Sequence, residues 1–473
     1  MQVSIVAGVG TPDGKEMKDL GEKEWLHFVG IGGVGMSALA QVLLGKGYRV
    51  SGSDLKENGV MQRLASLGAT VNTGHAVENL SPGVRRVVVS SAIPPDNPEV
   101  TAARQRGLPV IKRGELLAEF MQPYRGITVA GAHGKTTVTA MIALTLLRAG
   151  FDPTVLVGGN VPEIGGNAYL GKSDYLVTEA DESDASFLYL RPWVAVATNI
   201  EDDHLDHYGS VENIIEAFEA YLRQTKPDGF AVLCADDPNL RRLALDLPCR
   251  VVTYGLEVGG DLEATEIRFN GLGSRARVNS GGRELGWLEL NVPGRHNVLN
   301  ALAAAAVATN LGVEWAKIRE SLASFRGVER RFQVLHGENN IWVVDDYAHH
   351  PTEIRATLSA ASQVGARRIV AVFQPHRYTR TKFLYRDFGR AFRQADIVIV
   401  NDIYAAGEHP LPGVTAGLIV QALREAGQPR VLYLPTQEET LDYLRKESAK
   451  GDLILTLGAG DVWKISHSLV KEL

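Results

Sequence analysis

Residues Ile127 to Thr139 read ITVAGAHGKTTVT. A β-branched run suited to a strand gives way to a turn with two glycines, and the following AMIALTLLRAG has the apolar continuity of a buried helix. Gly131 and Gly134 let the turn take backbone angles that other residues resist. Successive N–H groups then converge on an anion, and the helix start adds free N–H groups and partial positive charge. Lys135 is placed to reach outer phosphates and the Thr136 hydroxyl to hold Mg²⁺. The eight-residue P-loop pattern is incomplete: its first glycine would fall at Val129, and this turn is shorter. The competing reading is an ordinary strand–helix turn with a surface lysine. A Gly-Lys-Thr-Thr run that closes an apolar strand and opens a helix favours a site for the phosphates of ATP.

Downstream, YLVTEADES is an apolar strand ending in Glu179 and Asp181. An acid at a strand tip beside a phosphate turn is where a Mg²⁺ ligand belongs, although such acids also occur as solvated strand ends. VAVATNIEDDHLDHY spills in the same way into Asn199, Glu201, Asp202, Asp203, His204, Asp206 and His207. His204 and His207 have the spacing of a helical zinc pair, without a third ligand at metal spacing. Equally, they cap the following helix, VENIIEAFEAYLRQ. A role beside the nucleotide, toward Mg²⁺ or substrate, is the sharper reading. GFAVLCADD and RVVTYG extend the sheet. Residues 261 to 293 alternate over short, glycine-rich stretches and predict a small antiparallel addition. GRHNVLNALAAAAVATNLG predicts a helix capped near His296 and Asn297.

Upstream, residues 1 to about 24 read as a loose leader. Trp25 to Val29 is a strand, followed by Gly30-Ile31-Gly32-Gly33-Val34-Gly35 and the helical run MSALAQVLLGKG. A second strand, YRVSGSD, ends at Asp54, 24 positions after Gly30. This is the spacing of a dinucleotide-binding βαβ unit, in which the glycines admit a phosphate and the acid reads a ribose. The fingerprint indicates a phosphate-bearing ligand without naming it, and a turn used only for close packing is the alternative. VVVSSAI, TAARQRG and LPVIK continue a parallel βα pattern. Pro123 to Gly126 reads as a linker and Phe325 to His336 as the connection to a further βα part. There the strands NIWVVDDYAHHP and RRIVAVFQPHRYTRT end in polar tips. Ligands of open parallel sheets bind beyond the carboxyl ends of strands. These tips carry His349, His350, His376, Arg377 and Arg380, suited to a carboxylate or phosphate, or else forming solvated basic loops.

The length of 473 residues suggests about three domains. With 45% hydrophobic and 22% charged residues, the chain reads as a soluble globular protein. A net charge of −6 argues against nucleic acid as the main partner. Two cysteines, Cys234 and Cys249, stand in no metal spacing and fit a reducing cytoplasm. The N-terminus lacks the basic region of a secretory signal, and the Ala301 to Ala308 run is too short to span a bilayer, so no membrane partner is expected.

In chain order, HFVGIGGVGMSALA, SGSD, SSAIP, GAHGKTT, EADESDASF, TNIEDDHLDHY, GRHNVLNALAA, RRF, DDYAHHPTEI and QPHRYTR together resemble the Mur ligase family over roughly residues 25 to 465. The GIGGVGMSALA and YAHHPTEI runs look like its alanine-adding branch. The resemblance implies an α/β fold of three domains. These are a Rossmann-like domain for a UDP-sugar (1–124), a central P-loop domain for ATP with a mostly parallel sheet (125–328), and a C-terminal Rossmann-like domain for the amino acid (329–473). It implies amide formation: the lactyl carboxylate of UDP-N-acetylmuramate is phosphorylated by ATP, and L-alanine displaces the phosphate. No nucleic acid is implied, and a monomer or weak homodimer is expected.

The resemblance also assigns residues. Gly30, Gly32, Gly33, Gly35, Ser37, Asp54 and Ser91 would hold the UDP-sugar. Gly131, Ala132, His133, Gly134, Lys135, Thr136 and Thr137 would hold the ATP phosphates, with Asn297, Arg331 and Asp346 around the nucleotide. Lys135, Glu179 and His204 would be catalytic; Thr136 and Glu179 would ligate one Mg²⁺, and His204 a second one near the carboxylate. His349, His376, Arg377 and Arg380 would surround the alanine. Several members carry a carbamylated lysine about fifteen positions beyond the His204 equivalent. Here that count reaches Glu219, whose carboxylate is expected to replace the carbamate, the alternative being a plain surface glutamate. Three rivals remain: a relative that attaches another amino acid or a peptide, a nicotinamide-dependent dehydrogenase built on Gly30 to Asp54, and a switch that hydrolyses ATP without ligation.

Overall fold

The computed structural model describes residues 23–337 and 341–472. The leader therefore lies almost wholly outside the described residues, as does the start of NIWVV. The chain divides into two compact units: 1–264 with 279–285 and 300–322, and 265–278 with 286–299 and 323–473.

The first unit begins with a five-stranded sheet in the order Thr70–Thr73, Arg49–Asp54, Trp25–Val29, Arg86–Val89, Val110–Lys112. All its pairings are parallel. The order turns outward from the first strand in both directions, so the Gly30 turn sits at the switch point, where a parallel sheet leaves a crevice. The strand expected at VVVSSAI stops at Val89, and Ser90 and Ser91 fall in the loop beyond it.

The second sheet of this unit runs Arg250–Gly255, Phe230–Cys234, Val194–Ala197, Arg125–Ala130, Tyr175–Glu179, Thr154–Val161, Gly166–Tyr169. It is parallel except for its last pair. Val194–Ala197 is buried along its whole length, the mark of a strand covered on both faces. Arg125 and Gly126, expected in a linker, already belong to a strand. The expected antiparallel addition corresponds to Leu262–Asn270, Gly273–Ser280 and Arg283–Leu290, which continue the sheet order past Arg250–Gly255. Their links are two residues long, with positive φ at Gly271, Gly281 and Gly282, the geometry of tight hairpins. The first of them pairs in parallel with Arg250–Gly255, through Tyr254–Leu262 and Gly255–Glu263.

The second unit carries a six-stranded sheet ordered Gln333–His336, Trp342–Asp346, Asp452–Leu457, Arg368–Phe373, Ile397–Val400, Val431–Tyr433. Only the Gln333–His336 edge is antiparallel. Alternate residues feed two cores. Val344, Ala371, Phe373 and Leu455 pack on one face, and Val343, Val370, Val372 and Ile454 on the other. This is a helix-covered parallel sheet, as the βα pattern predicts.

Candidate active site

The Gly131–Gly134 turn joins the end of strand Arg125–Ala130 to the start of helix Lys135–Arg148. Gly134 caps that helix with φ 86°, and Gly131 has φ 139°. No side chain caps the helix and its first turn holds no acid, so its N–H groups and positive end face outward. A Cβ on Gly131 would lie 2.0 Å from Thr198 Oγ1, and one on Gly134 would lie 2.7 Å from Asn300 Oδ1. Only glycine fits at either place.

Thr198 and Asn199, just past the neighbouring strand, clamp the turn. The Ala132 N–H donates to the Asn199 carbonyl (3.2 Å) and the His133 N–H to Asn199 Oδ1 (2.9 Å). In return Asn199 Nδ2 and Thr198 Oγ1 donate to the His133 carbonyl, at 3.0 and 2.6 Å. His133 Nε2 is 3.3 Å from Glu201 Oε2.

Lys135 curls back over the turn. Its Nζ donates to the Gly131 carbonyl at 2.6 Å and to Glu182 Oε1 at 2.6 Å. Burial acts against its charge, and the Glu182, Asp181 and Glu179 carboxylates more than offset it, so the ammonium pKa is raised. Burial pushes the Glu182 carboxyl up to about 7, with Lys135 pulling the other way. His204 Nε2 is 3.7 Å from the same Glu182 oxygen and 3.6 Å from Asp203 Oδ2. Glu179 Oε1 accepts the Gly158 N–H at 2.5 Å, and Thr136 is buried in the first helical turn. Lys135, Glu182 and His204 thus meet, with Glu179 close enough to act on the lysine's charge. The helix expected to be capped by His204 or His207 is capped by Ser210 instead; His204, at φ 59°, caps the short helix Leu205–Tyr208.

Glu219 departs from expectation. It forms an ion pair with Arg223 at 2.9 Å, and both side chains are about 41% exposed. Its contacts among the described residues do not join it to Lys135, Glu179 or His204. Helix Val211–Arg223 buries Ile214, Ile215, Phe218, Tyr221 and Leu222, which leaves Glu219 on the flank of that stripe, half-buried.

The Gly30 turn is braced by the strand beside it. The Gly30 and Ile31 N–H groups donate to the Ser53 carbonyl, and the Gly32 N–H donates to Asp54 Oδ2 at 3.0 Å. Asp54 thus holds the glycine turn itself. Gly33 caps helix Val34–Gly45, again without a side-chain cap or a first-turn acid. Ser37 is buried in that helix, and Ser91 is exposed.

The second unit groups the remaining predicted residues. Asp346 is buried and accepts the Phe332 and Ala348 N–H groups, both at 2.7 Å, while burial lifts its pKa to about 6. Asn297 donates to the Pro293 carbonyl. Arg331 lies over the Tyr347 ring and pairs with Glu353. The His349 and His376 rings stand 5.7 Å apart, and Arg380 Nη1 is 3.3 Å from His376 Nδ1. Burial, helped by His349 and nearby arginines, drives His376 down to about 3, so it is neutral at physiological pH. Arg377 caps helix Tyr378–Ala391 with φ 72°. Tyr404, absent from the sequence reading, stacks on His376 at 10° and 5.7 Å. His350 is buried as the cap of helix Pro351–Gln363.

Three family models match in order: the Mur ligase family catalytic domain over 26–125, the Mur ligase middle domain over 129–308, and the Mur ligase glutamate ligase domain over 330–460. The chain belongs to the Mur ligase family. It is 53% identical over 455 residues to a UDP-N-acetylmuramate–L-alanine ligase from Pelotomaculum thermopropionicum, with 96% of this chain and 98% of that one covered. Among solved structures it is similar to the UDP-N-acetylmuramate–alanine ligase of Thermotoga maritima, with TM-score 0.82 and 33% identity over 94% and 98% of the two chains. A murein peptide ligase from Psychrobacter arcticus has TM-score 0.72 and 26% identity over 95% and 98%. As a Mur ligase the chain keeps the three-domain α/β plan that the sequence predicts.

Sequence reading of this Mur ligase placed Asn199 in a polar cluster beside the nucleotide and missed Glu182, Thr198 and Asn300. The signal for Thr198 and Asn199 was their place just past an all-apolar strand, VAVA, the position from which a side chain reaches a neighbouring turn.

Proposed function

We propose that this chain is an ATP-dependent ligase that joins L-alanine to the lactyl carboxylate of UDP-N-acetylmuramate, releasing ADP and phosphate in peptidoglycan precursor synthesis. The observation that carries the reading is the Lys135–Glu182–His204 cluster behind a glycine turn open to phosphate, in a chain about half identical to named alanine ligases over nearly its full length. The higher identity to the alanine ligase structure than to the peptide ligase favours a single amino acid as the incoming amine.

A carboxylate is a poor acylating group, and the proposed route makes it an acyl phosphate. Two anions must approach, and Lys135 leaves the Gly131 carbonyl to meet the γ-phosphate as the helix N–H groups hold the others. The hydroxyl of Thr136 and the carboxylate of Glu179 would hold one Mg²⁺ and the imidazole of His204 a second near the lactyl carboxylate, where the ions would supply further charge neutralisation. Asn297, Arg331 and Asp346 are assigned to the nucleotide, and the Gly30 turn to the UDP diphosphate. His349, His376, Arg377 and Arg380 are assigned to alanine, the arginines meeting its carboxylate. The amine of alanine then attacks the acyl carbon, and phosphate leaves. The proposed domains are 1–124, 125–328 and 329–473. A cytoplasmic site of action fits the two free cysteines, and no helix among the described residues is long and apolar enough to cross a membrane.

The test is phosphate release from ATP and Mg²⁺. Release that requires both UDP-N-acetylmuramate and L-alanine is expected. Release that requires a different amino acid or a peptide would change the member, and release indifferent to both would reject ligation.

A further inference from the structure

Arg113 opens helix Arg113–Met121 and reaches in two directions. Its Nη2 donates to Asp181 Oδ2 at 2.9 Å. Its Cδ, Nε and Nη1 each lie 3.3 Å from where a Cβ on Gly35 would stand, so the flat of the guanidinium covers the last glycine of the sugar-side turn. Among the described residues Nε and Nη1 donate to nothing, and the side chain is only 22% exposed. Gly35 lies in the first turn of helix Val34–Gly45, whose N–H groups have neither a side-chain cap nor an acid beside them.

The Asp181 end is fixed. Its Oδ1 accepts the Ser183 N–H and Oγ, and its carbonyl accepts Ser186 Oγ. A Cβ on Gly114, the residue after Arg113, would stand 2.5 Å from Ser186 Cβ, so the helix start is pressed onto this loop. The same loop supplies Glu182 to Lys135.

We infer that Arg113 is a positioning residue for the sugar nucleotide: the guanidinium edge that Asp181 leaves free takes an oxygen of its diphosphate while Nη2 keeps Asp181. This rests on the proposed reading of the Gly30 turn as a UDP site. A guanidinium offers a planar set of donors, so one side chain serves a carboxylate and a phosphate on different edges. Seating the diphosphate then sets it in register with the loop that carries Lys135's partner.

The test is titration calorimetry of the full chain with UDP and with uridine, which differ by the diphosphate. Arg113→Gln is expected to weaken UDP by at least about tenfold and to leave uridine within about twofold, since the charged hydrogen bond to phosphate goes with the guanidinium, and loss of the Asp181 pair bears on both ligands alike. Equal weakening of UDP and uridine, or unchanged UDP affinity, would overturn the inference. Asp181→Asn gives a second arm should the first variant not fold. It removes a negative charge from the guanidinium and is expected to hold or raise UDP affinity, and a fall there would count against the inference. The wild type keeps the two readings apart: a chain that binds UDP no better than uridine fails the UDP site itself, whatever Arg113 does.

Discussion

Lys135 Nζ stands 2.6 Å from Glu182 Oε1 and 2.6 Å from the Gly131 carbonyl. The lysine is therefore held across the turn by the Glu182 carboxyl, which burial makes harder to ionise and Lys135 makes easier, and by a backbone carbonyl that, in the proposed reading, a phosphate replaces. Removing the ammonium leaves the incoming γ-phosphate without its protein cation. Lys135→Ala should lower the rate of alanine-dependent phosphate release by about a hundredfold or more, with circular dichroism unchanged. Glu182→Gln keeps an acceptor at the same place but not the charge, and about a tenfold loss is expected. A fully active Glu182→Gln would make the pair a feature of the resting turn only.

The second prediction concerns the turn's backbone. Gly131→Ala brings a methyl to 2.0 Å from Thr198 Oγ1 and sets a side chain on φ 139°. Strain of this kind costs about 1–3 kcal/mol, and the steric clash adds to it. ADP affinity measured by calorimetry should fall by at least about tenfold, since the turn's N–H groups no longer converge. Thr198→Ala in the same chain should recover part of the loss by removing the clash. No recovery would locate the whole effect in φ.

Much of this was legible because periodicity and punctuation agree with the fold. The runs around Trp25–Val29 and Ile127–Ala130 are apolar, end in glycine turns and open helices, so βα units and their glycine turns follow directly. Glu182 shows where reading stops. EADES places three acids within four residues, and the one that meets Lys135 is chosen by how the chain turns after Ala180, through Asp181's bonds to Ser183 and Arg113. Spacing along a strand tip does not encode that turn. Arg113 was missed because its partner Asp181 lies 68 residues downstream, in the loop past a strand of a different sheet. Glu219 was misplaced for the opposite reason. A count from His204 ignored helical phase, though the apolar spacing of IIEAFEAYL already puts Glu219 beside the buried stripe and not in it.

From that placement comes a third prediction. Glu219→Gln should leave the Mg²⁺ dependence of phosphate release unchanged, because its carboxylate is engaged with Arg223 on an exposed face. Stability should shift by no more than about 0.5 kcal/mol, the ordinary size of an i,i+4 pair. A raised Mg²⁺ requirement would restore Glu219 to the metal set.

The last prediction is a pH dependence set in the first sheet. Glu99 is wholly buried. Its Oε1 accepts from Asn79 Nδ2 at 2.6 Å and the Ala76 N–H at 3.2 Å, and its Oε2 accepts from Ser53 Oγ at 2.6 Å with His27 Nε2 at 3.3 Å. Burial alone would raise its pKa, but the bonds from His27, Ser53 and Asn79 prevail and hold it at about 2, against 4.5 in the unfolded chain. A depressed carboxyl stabilises the folded state above the unfolded pKa, and the contribution is lost as pH falls through the folded one. The wild type should therefore lose on the order of 3 kcal/mol between pH 4.5 and pH 2 from this group alone. Hydrogen exchange in peptides covering Trp25–Val29 and Arg49–Asp54 reports it locally, since Ser53 joins Glu99 to the strand that braces the Gly30 turn. Glu99→Gln should start less protected at pH 5 and show a flatter decline. Parallel curves for the two proteins would mean that the network holds the carboxylate no more tightly than the unfolded chain does.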